Sequence, residues 1–315
     1  TTGTLNTFIG RNAGVANTTG NNNTMIGEGT GYNATAGSHN TFAGWVAGFN
    51  NQAIGNVFYG SQAGYSNTTG ANNLFMGTLS GYLNTTGNNN IFVGRTSGYN
   101  NLTGNDNVFM GNSSGSSNTT ANSNTFIGNI AGQDNTTGDL NTFIGASAGA
   151  NNISGGQNTM IGAAAGLTNT TGAGNVFVGR SAGRLNTTGA NNTFLGHSSG
   201  LNNTTGTLNT FVGRNSGYSN TTGINNTIVG EGAGYNATIG SYTTFFGWAS
   251  GFNNQGNYNT FYGSESGYSN TTGANNTFIG GLAGYLTTIG INNVFLGRNA
   301  GYNNVSGNDN IFIGA

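Results

Sequence analysis

Asn6-Thr7-Phe8-Ile9-Gly10 is a five-residue stretch that returns along the whole chain, as Asn141-Thr142-Phe143-Ile144-Gly145 and again as Asn276-Thr277-Phe278-Ile279-Gly280. Its closing glycine recurs every 17 residues, with two intervals of 16. A fixed period of this length implies a solenoid, whose residues are best compared in rows of equivalent positions. The closing glycine (Gly10, Gly27, Gly94, Gly213 and their equivalents) defines row 0.

Working outward from row 0, row −3 holds Thr, Val, Ile or Leu, and row −1 is mostly aliphatic. Row −2 is Phe in 16 of 19 turns, with Met25, Met160 and Ile228 as exceptions. Three β-branched or aromatic residues bounded by Asn and Gly read as a short strand. Row +3 is Ala, Ser or Thr, row +4 is Gly (Gly14, Gly31, Gly98, Gly217), and row +5 is most often Tyr or Phe. This segment reads as a second strand in each turn. The Asn-Thr-Thr-Gly stretch that follows, as at 17–20 and 203–206, carries turn chemistry, because Gly and Asn accept positive φ. The expected fold is all-β: a parallel β-roll of about 18 turns, rising about 4.8 Å per turn. Identical asparagines stacked at that spacing can hydrogen-bond along the roll.

Length alone suggests about two domains, but an unbroken repeat can extend as one array. The chain therefore reads as a single continuous β-solenoid over residues 1–315. Sixty glycines would suit a disordered chain. Against disorder, 19 Phe and 13 Tyr keep largely to fixed phases of the cycle. The six basic residues are all Arg and net charge is −1, which leaves no footprint for nucleic acid or an anionic membrane. No apolar run is long enough for a membrane-spanning helix. Cysteine is absent, which excludes disulfides and cysteine–zinc sites.

A longer repeat overlies the short one. Residues 1–111 match 204–314 at an offset of 203, which is eleven turns of 17 plus one of 16. Both 16-residue turns open with Trp, at Trp45 and Trp248. With residue 1 falling in mid-turn, the chain reads as a fragment of a longer array.

Side chains of a strand alternate faces, so rows −3 and −1 oppose row −2. Either orientation leaves an apolar stripe outside a thin roll, and large exposed apolar patches mark interaction sites. Small and aliphatic residues at −3, −1 and +3 suit a narrow interior. The expectation is then an outward Phe seam: Phe8, Phe42, Phe58, Phe75, Phe92, Phe109, Phe126, Phe143, Phe177, Phe194, Phe211, Phe245, Phe261, Phe278, Phe295 and Phe312. Such a seam closes economically around a symmetry axis, with three protomers. The alternative is a wider monomeric roll with Phe inside.

At Asn6, Thr7, Phe8, Ile9, Gly10 and Ala13 the chain resembles the head repeat of YadA-type trimeric autotransporter adhesins. The resemblance recurs in every turn and implies a left-handed, homotrimeric parallel β-roll. Departures are the longer period here, Phe where that family places a small axial residue, and Tyr at row +5. Similar repeats are expected in phage-type tail fibres and large bacterial surface fibres.

Nothing in the sequence groups residues for catalysis. His39 and His197 are the only histidines and fall on different turns, and the acidic residues form no close pair in the cycle. Too few carboxylates are present for a ladder of calcium sites. No metal, cofactor or enzymatic activity is expected. Arg11 and Glu28, like Arg214 and Glu231, share row +1 on adjacent turns and should form exposed ion pairs worth about 0–1 kcal/mol. The Asn-x-Thr row could order water as ice does, although it breaks at Ala34, Ala53, Ile239 and Ile289; its triplets are also glycosylation sequons. The expected protein is a structural region of an extracellular fibre or cell-surface adhesin (or a virion fibre). It should bind itself, and a host or surface ligand is a further expected partner. An ice- or glycan-binding monomeric solenoid is the alternative.

Overall fold

The computed structural model describes residues 2–315. Every element is a three-residue strand, one per turn. They are β1 (Thr7–Ile9), β2 (Thr24–Ile26), β3 (Thr41–Ala43), β4 (Val57–Tyr59), β5 (Leu74–Met76), β6 (Ile91–Val93), β7 (Val108–Met110), β8 (Thr125–Ile127) and β9 (Thr142–Ile144), then β10 (Thr159–Ile161), β11 (Val176–Val178), β12 (Thr193–Leu195), β13 (Thr210–Val212), β14 (Thr227–Val229), β15 (Thr244–Phe246), β16 (Thr260–Tyr262), β17 (Thr277–Ile279), β18 (Val294–Leu296) and β19 (Ile311–Ile313). The fold is an all-β parallel solenoid of about 18 turns, with no helix among the described residues. Two compact units divide it, one ending at Gln157 and the other spanning Asn158–Ala315. Within each, successive strands pair in parallel and row for row, as in Phe75↔Phe92 between β5 and β6 and Phe194↔Phe211 between β12 and β13.

The second strand expected at rows +3 to +5 is absent, and those residues lie in a run of turns over rows +1 to +6. Its backbone explains why. Row +2 has positive φ in each complete described turn, including non-glycine residues such as Gln62 (58°), Leu79 (60°) and Ser113 (54°). Positive φ at the third residue of a four-residue turn is a type II feature. The turn closes with Ser80 N–H donating to Gly77 O at 3.2 Å, and a second closes with Asn84 N–H donating to Gly81 O at 3.1 Å. Extended pairing is thus interrupted twice per turn. The segments still stack, because Gly64 N–H donates to Ser80 O one turn on at 2.9 Å and Leu79 N–H donates back to Ser61 O at 2.9 Å.

The Phe row faces inward, which corrects the expected outward seam. Phe42, Phe58, Phe75, Phe92, Phe109, Phe126, Phe143, Phe177, Phe194, Phe211, Phe245, Phe261, Phe278 and Phe295 are all 0% exposed within the single chain. Phe8 and Phe312, in the first and last turns, are exposed in part. The rings form an offset stack along the axis, as Phe58 on Phe75 at 4.8 Å between centroids and 7° between planes. The opposing row +4 glycine makes the room. A Cβ on Gly98 would stand 2.4 Å from Phe92 Cδ2, and Gly98 has a φ of +59°. Row +3 completes the apolar interior, with Ala47, Ala63, Ala131 and Ala182 buried. Putting the largest side chain inside is the energetically better choice, since burying one Phe contributes about 1.5–3 kcal/mol.

Two rows of asparagine share that interior. Asn56 of row −4 donates from Nδ2 to Gly70 O at 2.9 Å and accepts from Asn73 N–H at 2.9 Å. Asn84 of row +7 donates to Asn67 Oδ1 at 2.7 Å and to Gly87 O at 3.1 Å. Each is fully buried. Burying an amide is tolerable because its hydrogen-bonding groups find partners. The asparagine stacking expected from the sequence is present, and it lies in the core.

Candidate functional site

With Phe inside, alternation turns rows −3 and −1 outward. The strand face therefore carries two parallel columns, Thr, Val, Leu and Ile in one and Ile, Val, Leu, Met and an occasional aromatic in the other. In the first unit Ile9, Ile26, Tyr59, Met76, Met110 and Ile127 are exposed on row −1; in the second, Ile161, Phe246, Tyr262 and Ile279 are. Threonine fills row −3 without a break from β12 to β17, each residue in register with the next. This face replaces the Phe row as the chain's outward apolar surface.

Row +1 borders the strand face beyond the row 0 glycine. It holds the expected ion pairs: Arg11 with Glu28, and Arg214 with Glu231, where Nε lies 3.0 Å from Oε1. All four side chains are well exposed, so screening keeps each pair weak. One turn after each pair stands a Trp, Trp45 at 53% and Trp248 at 55% exposed. The row 0 glycines Gly10, Gly27, Gly94 and Gly213 have φ of +129°, +131°, +133° and +128°. A Cβ at Gly10 would stand 2.6 Å from the carbonyl oxygen of Gly27 in the next turn. The row +4 glycines Gly14, Gly31, Gly98 and Gly217 have φ of +57°, +57°, +59° and +55° and face row −2 side chains.

The Asn-Thr-Thr row divides by side chain. Its first residue is buried in the ladder, so the acceptor nitrogen of those sequons is spent on hydrogen bonds within the fold. Its second often donates Oγ1 to a backbone carbonyl one turn on, as Thr85 does to Leu102 O at 2.8 Å. Row +5 forms two ring stacks that the sequence reading left undescribed. One runs Tyr32–Phe49–Tyr65–Tyr82–Tyr99, the other Tyr218–Tyr235–Phe252–Tyr268–Tyr285–Tyr302. Burial in the second stack, then Glu265 and the neighbouring tyrosines Tyr268 and Tyr302, push the Tyr285 hydroxyl above its ordinary pKa. Aromatic residues at the repeat spacing, 17 residues with one step of 16 in each stack, were the signal for both.

Among the described residues no three His, Asp or Glu side chains come together as metal ligands, and no helix is long and apolar enough to cross a membrane. A scan against protein-family models and a search of curated proteins returned no match.

Proposed function

We propose that this chain is a non-enzymatic structural region of an extracellular fibre or surface adhesin, on a cell or a virion, and that its copies associate through the strand face as a homotrimer. One observation carries the reading: rows −3 and −1 are nowhere buried, each side chain being half-buried or exposed in every turn of each unit, and apolar residues predominate across the two rows together. In the first unit the two rows comprise nine strands. At roughly 50 Å² per side chain, those rows offer on the order of 900 Å² against about 800 Å² per partner in a stable interface. Three copies around an axis would cover such a face on each protomer with one repeated contact. The Asn/Thr/Gly turns would remain outside, hydrated and almost uncharged.

Sedimentation velocity of the chain tests this directly. An oligomer of three is expected; a soluble, stable monomer at micromolar concentration overturns the reading. A second reading has one observation in its favour. The unbroken threonine column from β12 to β17, beside a largely apolar column, would suit ordered water on a monomeric ice- or glycan-binding face. Thermal hysteresis near freezing from a monomer would favour it.

A further inference from the structure

Copies that associate through a repeating face meet a register problem. Shifting one copy by a single turn moves each row residue onto its neighbour in the same row. Along most of row −1 that exchange is between Ile, Val, Leu and Met, for example Met76, Val93, Met110 and Ile127. Swaps among these residues change volume by about one methylene-sized group at most, so the aliphatic column discriminates only weakly between registers. Weakly specified register invites slipped pairings.

One place in each unit breaks the degeneracy of row −1 most sharply. In the first unit Ala43 and Tyr59 are register partners on β3 and β4, so the smallest residue of row −1 lies beside its only aromatic. Tyr59 is 50% exposed, and the exposed Trp45 follows two residues after Ala43 on the bordering row. In the second unit Phe246 and Tyr262 stack at 5.3 Å between centroids, with Trp248 in the same relation. Row +1 is also asymmetric about each Trp. The turns before it carry the Arg–Glu pair, and the turns after it carry Ser61 and Thr78, or Ser264 and Gly281. A slip in either direction therefore sets an aromatic against a residue of different volume or charge. Discrimination of this kind comes from penalising wrong pairings.

We propose that the aromatic pair on two adjacent turns of each unit, Trp45 with Tyr59 and Trp248 with Tyr262, is a register mark that makes copies of this chain associate turn for turn. The inference rests on self-association through the strand face and adds the determinant of its alignment. The chain has no cysteine, so Thr78→Cys, exposed on row +1, gives a single nitroxide position in the full chain. Pulsed electron spin resonance then reads the distance between labels on associated copies.

One narrow distance population is expected in the otherwise unaltered chain. In Trp45→Ser/Trp248→Ser/Tyr59→Ile/Tyr262→Ile, the oligomer should persist by sedimentation while that population splits into several. A single narrow population retained by the altered oligomer overturns the register mark and leaves self-association standing. A labelled chain that sediments as a monomer overturns both. Tyr59→Ile/Tyr262→Ile alone, checked for native circular dichroism, gives the same readout if the fourfold variant fails to fold.

Discussion

Single residues in this fold are judged by whether they keep a ladder continuous. Row +7 shows the cost of a gap. Asn17 Oδ1 is buried without a partner where the next turn offers Ala34 in place of Asn, and Asn270 Oδ1 where it offers Thr287. Thr287 Oγ1 is itself buried and unpaired. An unmet buried acceptor costs about 1–3 kcal/mol. Thr287→Asn should restore the ladder and stabilise the second unit by about 1–2 kcal/mol, read as a higher urea midpoint at unchanged slope. A different repair is present at the 16-residue turns. Ordinarily row +8 N–H donates to the next row +8 carbonyl, as Thr68 does to Thr85 O at 2.9 Å. In the short turn the side-chain carbonyl of Gln52 stands in, accepting from Thr35 N–H at 3.1 Å and Thr35 Oγ1 at 2.6 Å. Gln255 repeats this with Thr238 N–H at 3.0 Å. Gln52→Ala should destabilise by about 1 kcal/mol and raise amide exchange at Thr35 before its neighbours.

The turn, as an element, is organised by one contact between a ring and a glycine. Gly115 faces Phe109, where a Cβ would stand 2.6 Å from the ring at a backbone φ of +56°. Gly115→Ala should destabilise strongly, and Phe109→Leu should relieve part of that loss. A double-mutant cycle in urea should then show a coupling of about 1 kcal/mol or more. Phe109→Ala alone should cost about 3–5 kcal/mol as a core cavity, and should unfold turns rather than merely separate copies. This contact also explains what the sequence could and could not reveal. The period, the small interior row +3, the Asn stacking and the Arg–Glu pairs were legible because identical residues one period apart must be neighbours in a solenoid. The direction of Phe was not, because a strand such as Ile91-Phe92-Val93 is apolar at all three positions and has no alternation to read. The invariant row +4 glycine was the missing clue, since a left-handed backbone and a bulky row −2 side chain pressed against it both disfavour a Cβ there. The second strand was misread because row +2 takes positive φ with residues that give no warning. Ile130 does so at 52°, where left-handed backbone costs a non-glycine residue about 1–2 kcal/mol.

At the scale of the whole molecule, the proposed association gives the outside of the strand a task separate from that of its inside, and variants should separate them. Ile26→Lys, Met76→Lys and Met110→Lys together should lower the oligomer mass on sedimentation while leaving circular dichroism and the thermal midpoint of the turns nearly unchanged. Like charges on one exposed column would repel across a shared face without disturbing the Phe stack. The asparagine ladders have a consequence of another kind, which concerns ageing. Asparagine decays when the following backbone nitrogen attacks its side-chain carbonyl, and a following glycine permits this most readily. No asparagine in this chain precedes glycine. In row +7 the attacking nitrogen of Thr68 is held by Thr85 O, while the Asn67 carbonyl it would attack is held by Asn84 Nδ2 at 2.7 Å. Each closed rung thereby protects its own amide from spontaneous hydrolysis. The same bonds that align the turns make this asparagine-rich polymer slow to wear out.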